Sequence, residues 1–202
     1  MSLFTAIDSK FQADSNGSIA TKQFLLACRE ILPIFDTLGP VVFAPVKKDI
    51  AGNVDRLWDK MMTDTEKYIL LFNIVEAEMT DGTHTGTHSC TRGLLWLKRA
   101  LEFIFIFLDN VLKGEQDLVK CAHAAYDNSL RKYHGWIVRG VFSVAVRAVP
   151  YYSDFMKSLK KSEITDEEVL GHMKDSNEAL KCTIDEINKY YAAKGLNFED
   201  TV

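Results

Sequence analysis

Residues 91–107, Thr91-Arg92-Gly93-Leu94-Leu95-Trp96-Leu97-Lys98-Arg99-Ala100-Leu101-Glu102-Phe103-Ile104-Phe105-Ile106-Phe107, decide the fold class of this chain. They contain no proline, they are rich in good helix formers, and with the residues that follow to Leu112 they form a helix that is apolar nearly all round at its centre. A helix with no polar face has to be covered on every side, so it belongs in the middle of a helical bundle. Lys98 and Arg99 read as surface charges on its edge.

The neighbours of this segment share its period. A helix is predicted from near Thr21, with Phe24, Leu25, Cys28, Ile31 and Leu32 on one side, bent at Pro33 and stopped at Leu38-Gly39-Pro40. A second runs from about Pro45 to Met62. The S/T-x-x-E spacing of Thr63 to Glu66 predicts a third, through Tyr68, Leu71, Phe72 and Val75. The Gly/Thr-rich stretch 81–88 is a loop. Beyond the central helix come helices over about Glu115 to Arg131 and Tyr133 to Val149, a short one from Pro150, and a last one from the capping box at Thr165 to about Ala193. The class is all-α, in one domain over residues 1–202, with residues 1–20 a loose lead-in on their turn chemistry.

Composition narrows the function. Hydrophobic residues make up 47% of the 202 and charged residues 26%, which is the range of a folded globular chain. The net charge of −4 argues against a broad basic face for nucleic acid. Cys28, Cys90, Cys121 and Cys182 are scattered with no C-x-x-C pair, and the start lacks a signal-peptide pattern, so reduced thiols and a cytoplasmic location are expected. The apolar run Phe103 to Leu108 is far below the about 20 residues of a membrane span.

Three segments hold candidate chemistry. In 43–57, Asp49, Asn53 and Arg56 recur at i, i+4 and i+7 on one helical face, a carboxylate, an amide and a guanidinium suited to a polyhydroxylated headgroup. On spacing alone, a solvated face with an Asp–Arg pair is the commoner meaning. In 91–107, Trp96 offers either a flat face for a sugar ring or an ordinary core indole. In 132–138, His134 is a core histidine, a general base or a ligand contact, and Trp136 with Ile137 is an interface anchor or core. His84, His88 and Cys90 have a zinc-like spacing without a fourth ligand. No G-x-S-x-G, Walker or H-E-x-x-H motif occurs, and an Asp49/His134 acid–base pair has no activated nucleophile beside it.

Taken together and in this order, VKKDIAGNVDRL, LLWLKRAL and RKYHGWIV resemble the glycolipid transfer protein family, and the resemblance runs from Leu32 to Phe198. It implies a two-layer helical sandwich of about eight helices enclosing a lipid pocket, and a non-enzymatic, cofactor-free carrier of glycosphingolipids. By matched position, Asp49 and His134 would hold the ceramide amide, Asn53 and Arg56 the first sugar, and Trp96 would stack beneath it. Phe35, Val42, Val46, Phe103 and Phe142 match positions lining the hydrocarbon pocket. Trp136 and Ile137, with Lys132 and Arg139, would dock transiently on a membrane surface. A monomer is expected, and no metal.

Departures from the pattern bear on the ligand. Arg56 stands where the animal proteins have lysine, and Phe198 where they have tyrosine. Arg92 matches an arginine of the related ceramide 1-phosphate carriers, whereas Asn53 and Trp96 match the glycolipid branch. Two positions of three favour sugar, with Arg92 as an added contact to sugar hydroxyls or a sulfate, and ceramide 1-phosphate as the alternative cargo. A sphingolipid sensor or scaffold is the other. In some family members the segment matching Pro33 to Gly39 resembles a docking motif for an endoplasmic-reticulum adaptor, but here Ile34-Phe35 lacks the paired phenylalanines, which counts against that partner.

Overall fold

In the computed structural model, which describes residues 1–5 and 10–202, nine α-helices follow one another and no strand forms among the described residues. They are α1 (Thr21–Ile31), α2 (Ile34–Leu38), α3 (Ala44–Thr63), α4 (Leu71–Thr80), α5 (Cys90–Leu112), α6 (Leu118–Ser129), α7 (Trp136–Ala145), α8 (Tyr152–Leu159) and α9 (Asp166–Lys194). Single 3-10 turns at Arg131–Tyr133 and Val146–Ala148 flank α7. The architecture is the all-helical sandwich that the family resemblance implies, with nine α-helices among the described residues where about eight were expected. No helix among the described residues is long and apolar enough to cross a membrane.

Helix α5 is the axis. It packs against α3, α4, α6 and α9, and Leu94, Leu97, Leu101, Ile104 and Leu108 are buried along it. Its N-terminus is secured twice. The Ser89 hydroxyl caps it by accepting from the Arg92 N–H at 3.1 Å. The buried Glu78 carboxylate, arriving from α4, accepts from the Cys90 N–H (2.7 Å), the Thr91 N–H (2.8 Å) and the Thr91 hydroxyl (2.6 Å). An anion at this end of the helix also meets its dipole favourably.

Because α5 has neighbours on all sides, the charges expected at its surface are inside. Lys98 is 5% exposed and Arg99 only 1%. Each has a partner, as buried charge requires. Lys98 faces Glu102 at 3.3 Å. Arg99 donates to the Phe198 carbonyl and lies over the rings of Tyr133 (3.3 Å to the centroid) and Trp96 (4.8 Å).

Local competition moves two other boundaries. The expected helix start at Thr63 to Glu66 does not form, because the Asp64 side chain accepts from the Lys67 N–H at 2.9 Å and holds a local turn instead. The chain turns through residues 65–68 and is extended at Leu70 before α4 opens at Leu71, with Leu71 N–H bonded to the Ile19 carbonyl and Thr21 N–H to the Ile69 carbonyl. At Pro33 the expected bend is a break between α1 and α2. The capping box of α9 forms as read, with Glu168 N–H to Thr165 Oγ1 at 3.2 Å and Thr165 N–H to Glu168 Oε2 at 2.8 Å. Gly195, at φ 68°, closes that helix in the left-handed region.

The lead-in is tied down rather than loose, with residues 6–9 of it outside the described residues. Leu3, Phe4, Phe11 and Ile19 are buried, Phe11 meets Phe24 edge-on at 6.2 Å, and the Leu3 N–H bonds to the Leu159 carbonyl at 2.8 Å. Four apolar side chains outweigh the turn-forming polar residues between them, since burying each is worth about 1.5–3 kcal/mol.

Candidate functional site: a polar rim over an apolar cavity

Between α3, α5, α6 and α7 lies a cavity of about 540 Å³. Its apolar wall includes Phe35, Val42, Val46, Phe103 and Phe142, the five residues expected to line a hydrocarbon pocket. Phe103 stacks on Phe35 at 6.4 Å and meets Phe142 edge-on at 6.3 Å. Phe142 in turn stacks on Tyr126 at 3.8 Å. The volume falls within the about 300–1,000 Å³ of small-molecule sites.

At one end the wall becomes polar. Asp49, Asn53, Arg56, Trp96 and His134 all face the cavity. The three α3 residues form a chain, with Asn53 Nδ2 donating to the Asp49 carbonyl (3.1 Å) and lying 3.4 Å from its Oδ2, and Arg56 Nη1 donating to Asn53 Oδ1 at 3.3 Å. Burial raises the Asp49 carboxyl above its ordinary value, and the Arg56 charge opposes this. Helices α3 and α5 approach closely here because Gly93 has no side chain: a Cβ there would stand 3.1 Å from Arg56 Nη1 and 3.4 Å from Asn53 Oδ1.

Trp96 and His134 present nearly parallel rings, 6.0 Å apart at 18°. Burial, then the Arg139 and Arg99 charges, lowers the His134 pKa, so its neutral form is favoured. His134 Nδ1 lies 3.0 Å from the buried Tyr126 hydroxyl. With that hydroxyl donating, the imidazole proton sits on Nε2 and makes it a donor.

Arg92 is elsewhere. It does not face the cavity; its Nε donates to the Thr85 carbonyl at 2.9 Å, it pairs with Asp200, and its guanidinium lies 4.7 Å over the Phe198 ring. Of the residues expected to dock on membranes, Trp136 is 83% exposed and Ile137, Lys132 and Arg139 are exposed as well; Val141 and Val144, which were not among them, extend the same exposed apolar surface. In α7 only Ala145 is buried. Arg139 also clamps the site, its Nε donating to the His134 carbonyl at 2.7 Å.

Several contributors were not legible in the sequence. Tyr126 comes from α6, Thr87 and His88 from the loop before α5, and Val202 from the segment after α9. Val202 donates to the Tyr133 carbonyl (3.0 Å) and accepts from the Gly135 N–H (2.6 Å), bracketing His134. Cys90, a candidate metal ligand by spacing, holds its thiol against the Arg56 carbonyl at 3.7 Å, with its pKa pushed up to about 12 by burial and Glu78. Among the described residues no three His, Cys, Asp or Glu side chains gather as a metal site.

A family profile described as glycolipid transfer protein matches residues 19–161. The chain belongs to the glycolipid transfer protein family. The human pleckstrin homology domain-containing family A member 8 is 43% identical over 148 residues, 73% of this chain and 28% of that protein. The zebrafish (Danio rerio) protein of the same name is 42% identical over 150 residues, 74% of this chain and 27% of its own length. The chain thus spans little more than a quarter of these relatives.

Among solved structures, the glycolipid transfer protein fold of FAPP2, described as selecting simple glycosphingolipids, superposes with a TM-score of 0.93 at 33% identity over 100% of both chains. The fungal glycolipid transfer protein HET-C2 gives 0.86 at 27% identity, over 97% of this chain and 100% of that one. Mouse ceramide-1-phosphate transfer protein gives 0.88 at 23% identity over 98% of each, and shares the fold.

Proposed function

We propose that this protein carries glycosphingolipids between membranes without chemical change, and that it works as a monomer in the cytoplasm. The observation that carries this reading is the continuity of one cavity from a polar rim of Asp49, Asn53, Arg56, Trp96 and His134 to an aromatic and aliphatic wall. A ceramide leaving a bilayer exchanges one apolar surrounding for another, so extraction needs such a wall and gains selectivity only at the rim.

In this reading Asp49 accepts from the amide N–H and the Nε2 proton of His134 meets the amide carbonyl. Asn53 and Arg56 bond sugar hydroxyls, and the Trp96 face supports the ring. A lipid without the amide leaves the Nε2 of the half-buried His134 without a partner, which costs about 1–3 kcal/mol, and leaves the exposed Asp49 carboxylate to water. The exposed apolar side of α7, with Lys132 beside it, supplies weak and reversible contact with a membrane surface. The similarity to FAPP2, whose fold is described as selecting simple glycosphingolipids, supports the same cargo.

The test is transfer of fluorescent galactosylceramide between vesicles, with fluorescent ceramide 1-phosphate in parallel, by the unmodified protein, Trp96→Ala and Trp136→Ala. Glycolipid transfer that collapses in Trp96→Ala is expected, and slower transfer in Trp136→Ala. Movement of the phosphate lipid alone overturns the cargo assignment. Tight binding without exchange of either lipid would instead make the protein a sensor.

A further inference from the structure

Arg92 lies on α5 one turn before Trp96, on the same helical face, yet its charge is taken up within the molecule. Its partner Asp200 belongs to the segment 196–202, which crosses from the end of α9 to the rim. That segment is pinned independently of Arg92. Arg99 donates to the Phe198 carbonyl from beneath, and Val202 exchanges backbone hydrogen bonds with Tyr133 and Gly135 on either side of His134. The Phe198 ring lies under the Arg92 guanidinium, and the Thr85 carbonyl holds its Nε.

A guanidinium beside a headgroup platform is a receptor for a tetrahedral oxyanion, because its planar donors match phosphate and sulfate oxygens. Here a carboxylate of the same chain already fills that role. An incoming anionic headgroup has to displace a counter-ion whose attachment is intramolecular, and whose own negative charge repels it until it leaves. The other charges at the rim, Asp49 and Arg56 on α3, are joined to each other through Asn53.

We propose that Asp200 is a specificity determinant: as the internal counter-ion of Arg92, it withholds that guanidinium from phosphate and sulfate headgroups and biases the site toward uncharged sugars. The proposal rests on the carrier reading above for its cargo, but it is read out by a ratio of affinities that does not require transfer.

The experiment compares the unmodified protein with Asp200→Asn, Asp200→Ser, Asp200→Glu and Arg92→Leu/Asp200→Asn. Binding of short-chain ceramide 1-phosphate, sulfated galactosylceramide and neutral galactosylceramide is titrated directly, and vesicle transfer of the same three is followed alongside. In Asp200→Asn and Asp200→Ser the affinity for the two anionic lipids should rise relative to the neutral one by about tenfold or more, the worth of one charge-assisted hydrogen bond. Asp200→Glu should keep the original ratio, and the double variant should lose the gain. An unchanged ratio in both neutral variants overturns the proposal. So does a gain that survives in the double variant, or an unmodified protein that already binds anionic and neutral lipids equally. Failure of the unmodified protein to move neutral glycolipid would remove the carrier reading, while the binding ratios would still decide the role of Asp200.

Discussion

Gly93→Ala should uncouple stability from transfer, and its magnitude can be worked from the α3–α5 contact. Gly93 lies inside α5, where replacing glycine by alanine favours the helix by about 1 kcal/mol. The added methyl would stand 3.1 Å from Arg56 Nη1, which has to give by a few tenths of an ångström, and 3.4 Å from Asn53 Oδ1, an ordinary contact. Arg56 Nη1 is the far end of a long side chain, and its displacement costs little. For a chain of this size 1 kcal/mol corresponds to about 2–4 °C, so the melting temperature should hold or rise by that much.

The rim, however, loses register. Arg56 Nη1 already donates to Asn53 at a long 3.3 Å, and pushing it outward would misplace its donors toward a sugar hydroxyl. Hydrogen bonds to charged groups contribute about 1.5–3 kcal/mol, and losing roughly half of one is about fivefold in transfer. Calorimetry and galactosylceramide transfer on the same preparation give both numbers. Full-speed transfer with an unchanged or raised melting temperature would show that the placement of Asn53 and Arg56 does not govern the headgroup. A melting temperature several degrees lower would show that Arg56 cannot yield, and the packing argument would fail.

Three further outcomes follow from contacts described above. Glu78→Gln should lower stability by about 2–3 kcal/mol, read as a drop of several degrees in calorimetry, because a neutral amide cannot accept three hydrogen bonds at the start of α5 as the carboxylate does. Tyr126→Phe should keep the ring stack on Phe142 but leave His134 Nδ1 without its partner, slowing glycolipid transfer about 2- to 10-fold at little change in melting temperature. The depressed pKa of His134 makes its contribution to stability complete above the unfolded value of about 6.5 and progressively lost as pH falls through the folded value. The urea midpoint of the unmodified protein should therefore decline below pH 6.5 more steeply than that of His134→Gln.

What could be read in advance divides along physical lines. The α5 helix, the α9 capping box and the shared face of Asp49, Asn53 and Arg56 were legible because each depends on spacing within one element, whereas a ligand-facing role for those three came only from the family resemblance, since spacing alone favoured a solvated face. The contacts of Arg92, Arg99 and His134 were not, because their partners Asp200, Phe198 and Tyr126 belong to other parts of the chain, and no helical period joins them. Arg99 illustrates the limit well. Its charge points to a surface, and it is the Phe198 carbonyl with the aromatic faces of Trp96 and Tyr133, brought together by folding, that makes an interior position tolerable. Thr63 to Glu66 fails for a different reason: two local motifs competed for the same residues, and the Asp64 turn prevailed.

The double role of α5 couples acyl-chain choice to durability. Phe103 both bounds the cavity and packs with Phe35 and Phe142. Making room for a longer chain by trimming such a ring to alanine would remove about 3–5 kcal/mol of stability, a large share of what a domain of this kind possesses. Variation in cargo length is therefore more economically found in residues that only edge the cavity, such as the partly exposed Val46, than in the helix that carries both layers. The protein's tolerance for new lipids is set less by the volume it encloses than by which of its walls can be altered without unfolding it.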